Sequence, residues 1–71
     1  MAGYIVMYND RMGINPITYW DYPKEEVIRK AKAEGLKRKA YKLYVGRLKG
    51  DTFGSTKVGE WELRGTRWYK V

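Results

Sequence analysis

The residues of this chain best placed to do chemistry are its cations. Between positions 29 and 50 stand Arg29, Lys30, Lys32, Lys37, Arg38, Lys39, Lys42, Arg47 and Lys49, against a single acid, Glu34. That stretch carries +8, more than the formal net charge of +7 of all 71 residues. Residues 1–28 sum to −2 and residues 51–71 to +1. A charge so lopsided creates a positive field over part of the surface and draws anionic partners: nucleic acid, an acidic protein face or an anionic membrane. The run Lys37-Arg38-Lys39, with Lys42 close behind, is its densest part. Cations gathered in this way make phosphate contacts of strong salt dependence, although a merely solubilising loop has the same composition.

Other chemistry finds little support. There is no His and no Cys, so the commonest general base and the strongest neutral-pH nucleophile are both missing. The thiolate and imidazole ligands of structural zinc are missing with them. The eight acids are scattered rather than paired. The glycines at 50 and 54 lack the Lys-Ser/Thr and the following helix of a phosphate-binding loop. The expectation is a protein that is not an enzyme and uses no metal or cofactor. No apolar run approaches the roughly 20 residues of a transmembrane helix. The start, Met1 to Tyr8, has no basic n-region of a signal peptide. A cytoplasmic protein without a membrane partner is the resulting expectation.

The elements that must position these cations follow from the apolar pattern. Gly3 to Tyr8 reads as a strand with apolar residues on both faces, Ile5 and Met7 on one, Tyr4, Val6 and Tyr8 on the other. Asn9 to Pro16 reads as a loop, and Ile17 to Trp20 as a short antiparallel strand. Pro23 opens a helix at its first position behind a weak cap at Tyr22, and Gly35 is placed to end it in a left-handed conformation. Val27, Ile28, Ala31 and Gly35 share one helical face; opposite, Glu25 precedes Arg29 and Glu26 precedes Lys30 by four residues. Tyr41 to Val45 reads as a strand with Tyr41, Leu43 and Val45 on one face and Lys42 and Tyr44 on the other. Lys49 to Thr56 reads as a loop. Arg64-Gly65 suits a two-residue hairpin turn, which pairs Leu63 with Thr66, Glu62 with Arg67 and Trp61 with Trp68.

The order is β-β-α-β-β-β, and residues 1–71 make a single α+β domain. Its two layers are one helix packed on a small, mostly antiparallel sheet. So short a chain buries only about 60% of its unfolded surface. Without disulfide or metal staples, its 15% of aromatic residues must build the core. If the helix covers the face of Leu43 and Val45, Lys42 and Tyr44 look outward, with Tyr4, Tyr8 and Trp20 beside them. An open sheet with stacking rings and flanking cations is how several small domains hold single strands. The function expected is therefore a non-enzymatic, basic nucleic-acid-binding module, with Lys37, Arg38, Lys39, Lys42, Tyr44, Arg47 and Lys49 as its contacts. The alternative is a small protein-binding modulator or inhibitor, docking on an acidic or nucleic-acid-binding groove of a larger enzyme. In general style, tiny, Cys-free and rich in Tyr and Lys, the chain is similar to accessory proteins carried by phages, a likeness of composition with no motif behind it.

Overall fold

The computed structural model describes residues 3–49 and 54–71. Six elements follow in order: β1 (Gly3–Asp10), β2 (Gly13–Trp20), α1 (Lys24–Lys37), β3 (Lys42–Leu48), β4 (Ser55–Arg64) and β5 (Arg67–Lys70). The five strands form one sheet in the order β2-β1-β3-β4-β5, every neighbouring pair antiparallel. This is the expected small α+β domain, one helix on a sheet. Strands β2 and β3 both run antiparallel to β1 and so parallel to each other. Parallel strands cannot be joined by a tight turn, and α1 is the crossover that joins them.

The core lies between α1 and one sheet face. Tyr4, Val6 and Tyr8 of β1, Leu43 and Val45 of β3, and Trp61 of β4 are buried against Val27 and Ala31 of the helix. Cross-strand partners share a face, and the register sets Val6 opposite Val45 and Tyr8 opposite Leu43. Tyr4 and Tyr8 are therefore core residues, not members of the open face where they were expected. The alternation of β1 was legible, but which of its two apolar sets meets the helix is fixed by pairing with β3.

Rings and glycines are fitted to one another. A Cβ on Gly35 would stand 2.7 Å from Cζ2 of Trp68, one on Gly59 2.8 Å from Cη2 of Trp61, and one on Gly46 2.9 Å from Cε1 of Tyr44. The Trp20 ring lies on Gly3 in the same way. Gly35 thus gives the indole of Trp68 a seat on the helix and does not end it. The helix runs on to Lys37, capped by Arg38, and the left-handed residue is Lys39 (φ 58°). Lys39 N–H donates to the Leu36 carbonyl (3.1 Å) and Ala40 N–H to the Gly35 carbonyl (2.9 Å), the paired bonds of a Schellman close. At the other end Pro23 is itself the cap (ψ 155°), in place of Tyr22, so the helix begins at Lys24, one residue later than expected.

Two hairpins differ from expectation. β1 and β2 extend to Asp10 and from Gly13, leaving only Arg11 and Met12 as the turn. Asp10 Oδ1 accepts from Met12 N–H (2.7 Å) and Oδ2 from Asn15 Nδ2 (3.2 Å), so residues that read as loop brace a tight turn. Pro16 sits within β2, which proline tolerates because β2 is an edge strand. The β4–β5 turn is Gly65-Thr66, not Arg64-Gly65: Arg64 faces Arg67, Leu63 faces Trp68, Glu62 faces Tyr69 and Trp61 faces Lys70. Gly65, at φ 66°, occupies the first turn position, the place of glycine in a type II′ turn. The shift moves partners by two, so the faces are kept: Trp61, Leu63 and Trp68 still share one. β4 begins at Ser55, inside the loop expected over 49–56; the part of that loop at 50–53 lies outside the described residues.

Candidate nucleic-acid interface

The antiparallel order sorts the connections between the two ends of the sheet. Asn9, Lys42 and Glu62 form one row across three strands. Beyond that row lie the β1–β2 turn, the segment that leaves α1, and the β4–β5 turn. Tyr41 ties them together: its N–H donates to the Asn9 carbonyl (2.9 Å), and its own carbonyl accepts from Leu63 N–H (2.9 Å). The connection into the helix, the end of β3 at Leu48 and the start of β4 at Ser55 belong to the opposite end.

This end is basic. It gathers Arg11 from the first turn, Lys37, Arg38, Lys39 and Lys42 around the helix exit, and Arg64 and Arg67 from the last turn. Those seven cations meet three acids, Asp10, Glu34 and Glu62. Glu34 holds Nε of Arg38 at 2.8 Å, and Glu62 holds Nε of Arg64 at 3.0 Å. Both are exposed pairs worth about 0.2–1 kcal/mol each, and each uses one of the five N–H groups of its guanidinium. The Arg38 guanidinium also lies 5.4 Å from the ring centroid of Tyr8, and that of Arg64 5.3 Å from Tyr69. The rings hold the forks in place.

The seven residues expected to act together are only partly united. Lys37, Arg38, Lys39 and Lys42 share the basic end, Arg38 and Lys39 lining one cleft and Lys37 a second one with Tyr19, Lys30, Ala33 and Glu34. Arg47 lies at the far end of β3 and Lys49 just past it. Five residues of strand separate Lys42 from Arg47, about 17 Å, and Arg47 projects on the opposite face. Tyr44 is on the open face, half-buried, its ring over Gly46 and its hydroxyl 3.4 Å from Ser55 Oγ. The exposed rings at the basic end are instead Tyr41 and Tyr69. Arg29 pairs with Glu26, not Glu25, and Lys30 lies over the Tyr22 ring at 5.0 Å, not against Glu26.

Arg11, Arg64 and Arg67 did not stand out in the sequence, because acids interspersed with them (Asp10, Glu60, Glu62) leave their segments with little net charge. Their signal was topological: when strands and helix alternate in direction, the first, third and fifth connections share an end. Tyr41 was grouped with Leu43 and Val45; it keeps their side of the sheet but lies past the end of the helix.

The open side of the β1–β2 hairpin has a different character. By register it consists of Gly3, Ile5, Met7, Asn9, Ile14, Pro16, Thr18 and Trp20, with no charged residue. Ile14 is 64% and Trp20 53% exposed. No helix among the described residues is long and apolar enough to cross a membrane, and no group of three or more Asp or Glu among them could hold a metal ion. Compared with protein-family models, with curated proteins and with solved structures, the chain matches none.

Proposed function

We propose that this protein is a non-catalytic nucleic-acid-binding module that grips phosphates with the basic end of its sheet. The observation that carries the reading is the convergence of seven cations, from three separate connections, on one end that holds three acids. Phosphate backbones are bound chiefly by such clusters, with affinity that falls steeply with salt. The exposed Tyr41 and Tyr69 offer faces on which unpaired bases stack. The test is a mobility or anisotropy titration with an unrelated oligomer at low and physiological salt. Charge reversal at Arg11, Lys39 or Arg67 weakens binding alike, although 56 positions separate the first from the last. Reversal at Arg47 changes little. No binding at low salt and micromolar protein refutes the reading.

A second reading, a protein-binding modulator, is favoured by the uncharged open side of the β1–β2 hairpin. Interface centres are poor in charge and rich in aromatic side chains, and Trp20 with Ile5, Met7 and Ile14 fits that description. The occupant would be an apolar protein ridge flanked by carboxylates, which the surrounding cations would attract. This reading forecasts no oligomer binding, and one protein retained from nuclease-treated lysate by the native chain and lost with Trp20→Lys.

A further inference from the structure

The basic end contains a cleft of about 510 Å³ between the β1–β2 turn and the helix exit, lined by Asp10, Arg11, Met12, Arg38 and Lys39. We propose that this cleft is a site for a phosphate monoester, presented as the terminal phosphate of a nucleic-acid strand; this rests on the function proposed above and narrows it.

Charge is the first argument. Three cations and one carboxylate line the cleft, a surplus of two. A monoester phosphate carries about −1.5 to −2 at neutral pH, whereas each diester along a strand carries one charge. The surplus therefore matches an end better than any internal position. The single carboxylate is also occupied. Both oxygens of Asp10 accept bonds from its own turn, from Met12 N–H and Asn15 Nδ2, and the turn they brace is the one that carries Arg11.

Preorganisation is the second. Arg38 is fixed on two sides, by Glu34 at Nε and by the Tyr8 ring beneath its guanidinium. One N–H of its fork is used, and the fork is suited to two-point binding of phosphate oxygens. Lys39 stands in the left-handed region at φ 58°, where the helix close would be made more easily by glycine. A lysine kept in that conformation puts an ammonium beside Arg38 at a fixed point of the chain. Strained backbone of this kind points toward function. Met12, 92% exposed at the lip, gives the sugar or base of a terminal nucleotide an apolar contact.

The experiment compares one internally labelled single strand with a 5′-phosphate, with a 3′-phosphate and with neither. Inorganic phosphate alone forms a further arm, read from the amide resonances of Arg11, Met12 and Lys39. The expected result is about tenfold tighter binding of a phosphorylated end, as one additional charge-assisted contact provides. Phosphate alone should shift those three amides. Lys39→Gly removes the ammonium while retaining the backbone conformation, and Arg11→Gln removes the turn cation; each should bring the preference to about one while weakening the unphosphorylated strand less than the phosphorylated ones, whereas Arg67→Gln, outside the cleft, should weaken all three strands and keep the preference. Equal affinity for all three strands, with a steep salt slope, overturns this inference and leaves the general reading in place. Amide shifts with phosphate but no binding of any strand support a monoester site whose source is a free phosphate, and overturn the nucleic-acid reading. Neither shifts nor strand binding overturns both.

Discussion

Replacing Gly35 with alanine tests the packing of the helix against the last strand, because two effects of opposite sign meet there. In an ordinary helix interior, Gly→Ala stabilises by about 1 kcal/mol. Gly35 is buried, and a Cβ on it would stand 2.7 Å from Cζ2 and 3.2 Å from Cη2 of Trp68, and 3.3 Å from Cδ2 of Leu43. The ring cannot simply slide away. Its Nε1–H donates to the Lys32 carbonyl at 3.0 Å, and that bond fixes the indole along the helix axis. Overpacking of this kind costs about 1–3 kcal/mol, and loss of the indole bond about 1 kcal/mol more. The net expectation for Gly35→Ala is a loss of about 2 kcal/mol, or roughly 10 °C in a domain this size.

Urea unfolding and thermal melts measure it directly. Repeating the substitution on a Trp68→Leu background makes the test specific. With the indole gone, alanine at 35 meets no ring and only the flexible end of Leu43 at 3.3 Å, so propensity dominates and the substitution becomes stabilising by about 1 kcal/mol. The coupling between the two sites is then about 3 kcal/mol, large for a cycle between neighbours. A single Gly35→Ala variant that melts higher than the native protein would refute the packing described here.

Three further outcomes follow from the backbone and the core. Lys39→Gly should raise stability by about 1 kcal/mol in urea titrations, because a left-handed residue carrying a Cβ costs about 1–2 kcal/mol, whereas Lys39→Val should lower it. Gly65→Ala should lower stability by about 1 kcal/mol, since φ 66° at the first turn position suits glycine; Gly65→Asn should lose less, and equal melts for the two would argue against the turn assigned. Tyr8 has its ionisation pushed far up, by burial first and then by the hydroxyl contact with Tyr19 at 3.2 Å. The folded state keeps that proton while the unfolded chain releases it near pH 10, so the stabilisation is full below pH 10 and declines as pH rises above it. Tyr8→Phe should flatten this alkaline decline in denaturant titrations between pH 9 and 11.

Much of the fold was legible because its signals were local. Pro23 marked the helix start to within one residue, alternation located β1, β3 and β4, and the grouping of Trp61, Leu63 and Trp68 on one face survived a wrong turn. What misled was glycine and charge read without neighbours. Gly35 resembles a helix stop until Trp68, 33 positions later, is set against it. Asn9 to Pro16 resembles a loop until Asp10 is seen bonding its own turn. The basic stretch resembles one site because it is continuous in sequence, yet a strand carries Arg47 and Lys49 away from Lys42 at about 3.3 Å per residue.

The charge that matters is organised by direction of travel, not by adjacency. β1 runs toward the end that becomes basic and turns there through Arg11. β2 leads away, and α1 returns, delivering Lys37, Arg38 and Lys39. β3 departs from Lys42, β4 comes back, and the chain turns a last time between Arg64 and Arg67. Each return to this end adds cations, while the way into the helix adds Asp21, Glu25 and Glu26 at the other. The acids near the helix start favour its dipole, and the cations near its exit do the same, so one distribution serves both the fold and the field. Lys37 is accounted for by the helix terminus alone. Arg11 and Arg67 lie outside the helix and take no part in its dipole, and Arg64 is held by Glu62 and the Tyr69 ring; the proposed phosphate grip is tested on Arg67. A paired comparison separates the roles: charge reversal at Lys37 should lower the melting temperature measurably, whereas reversal at Arg67 should leave it within about 0.5 kcal/mol of native stability and weaken oligomer binding. Comparable losses of stability at both positions, with binding unchanged, would remove the basic end as an interface.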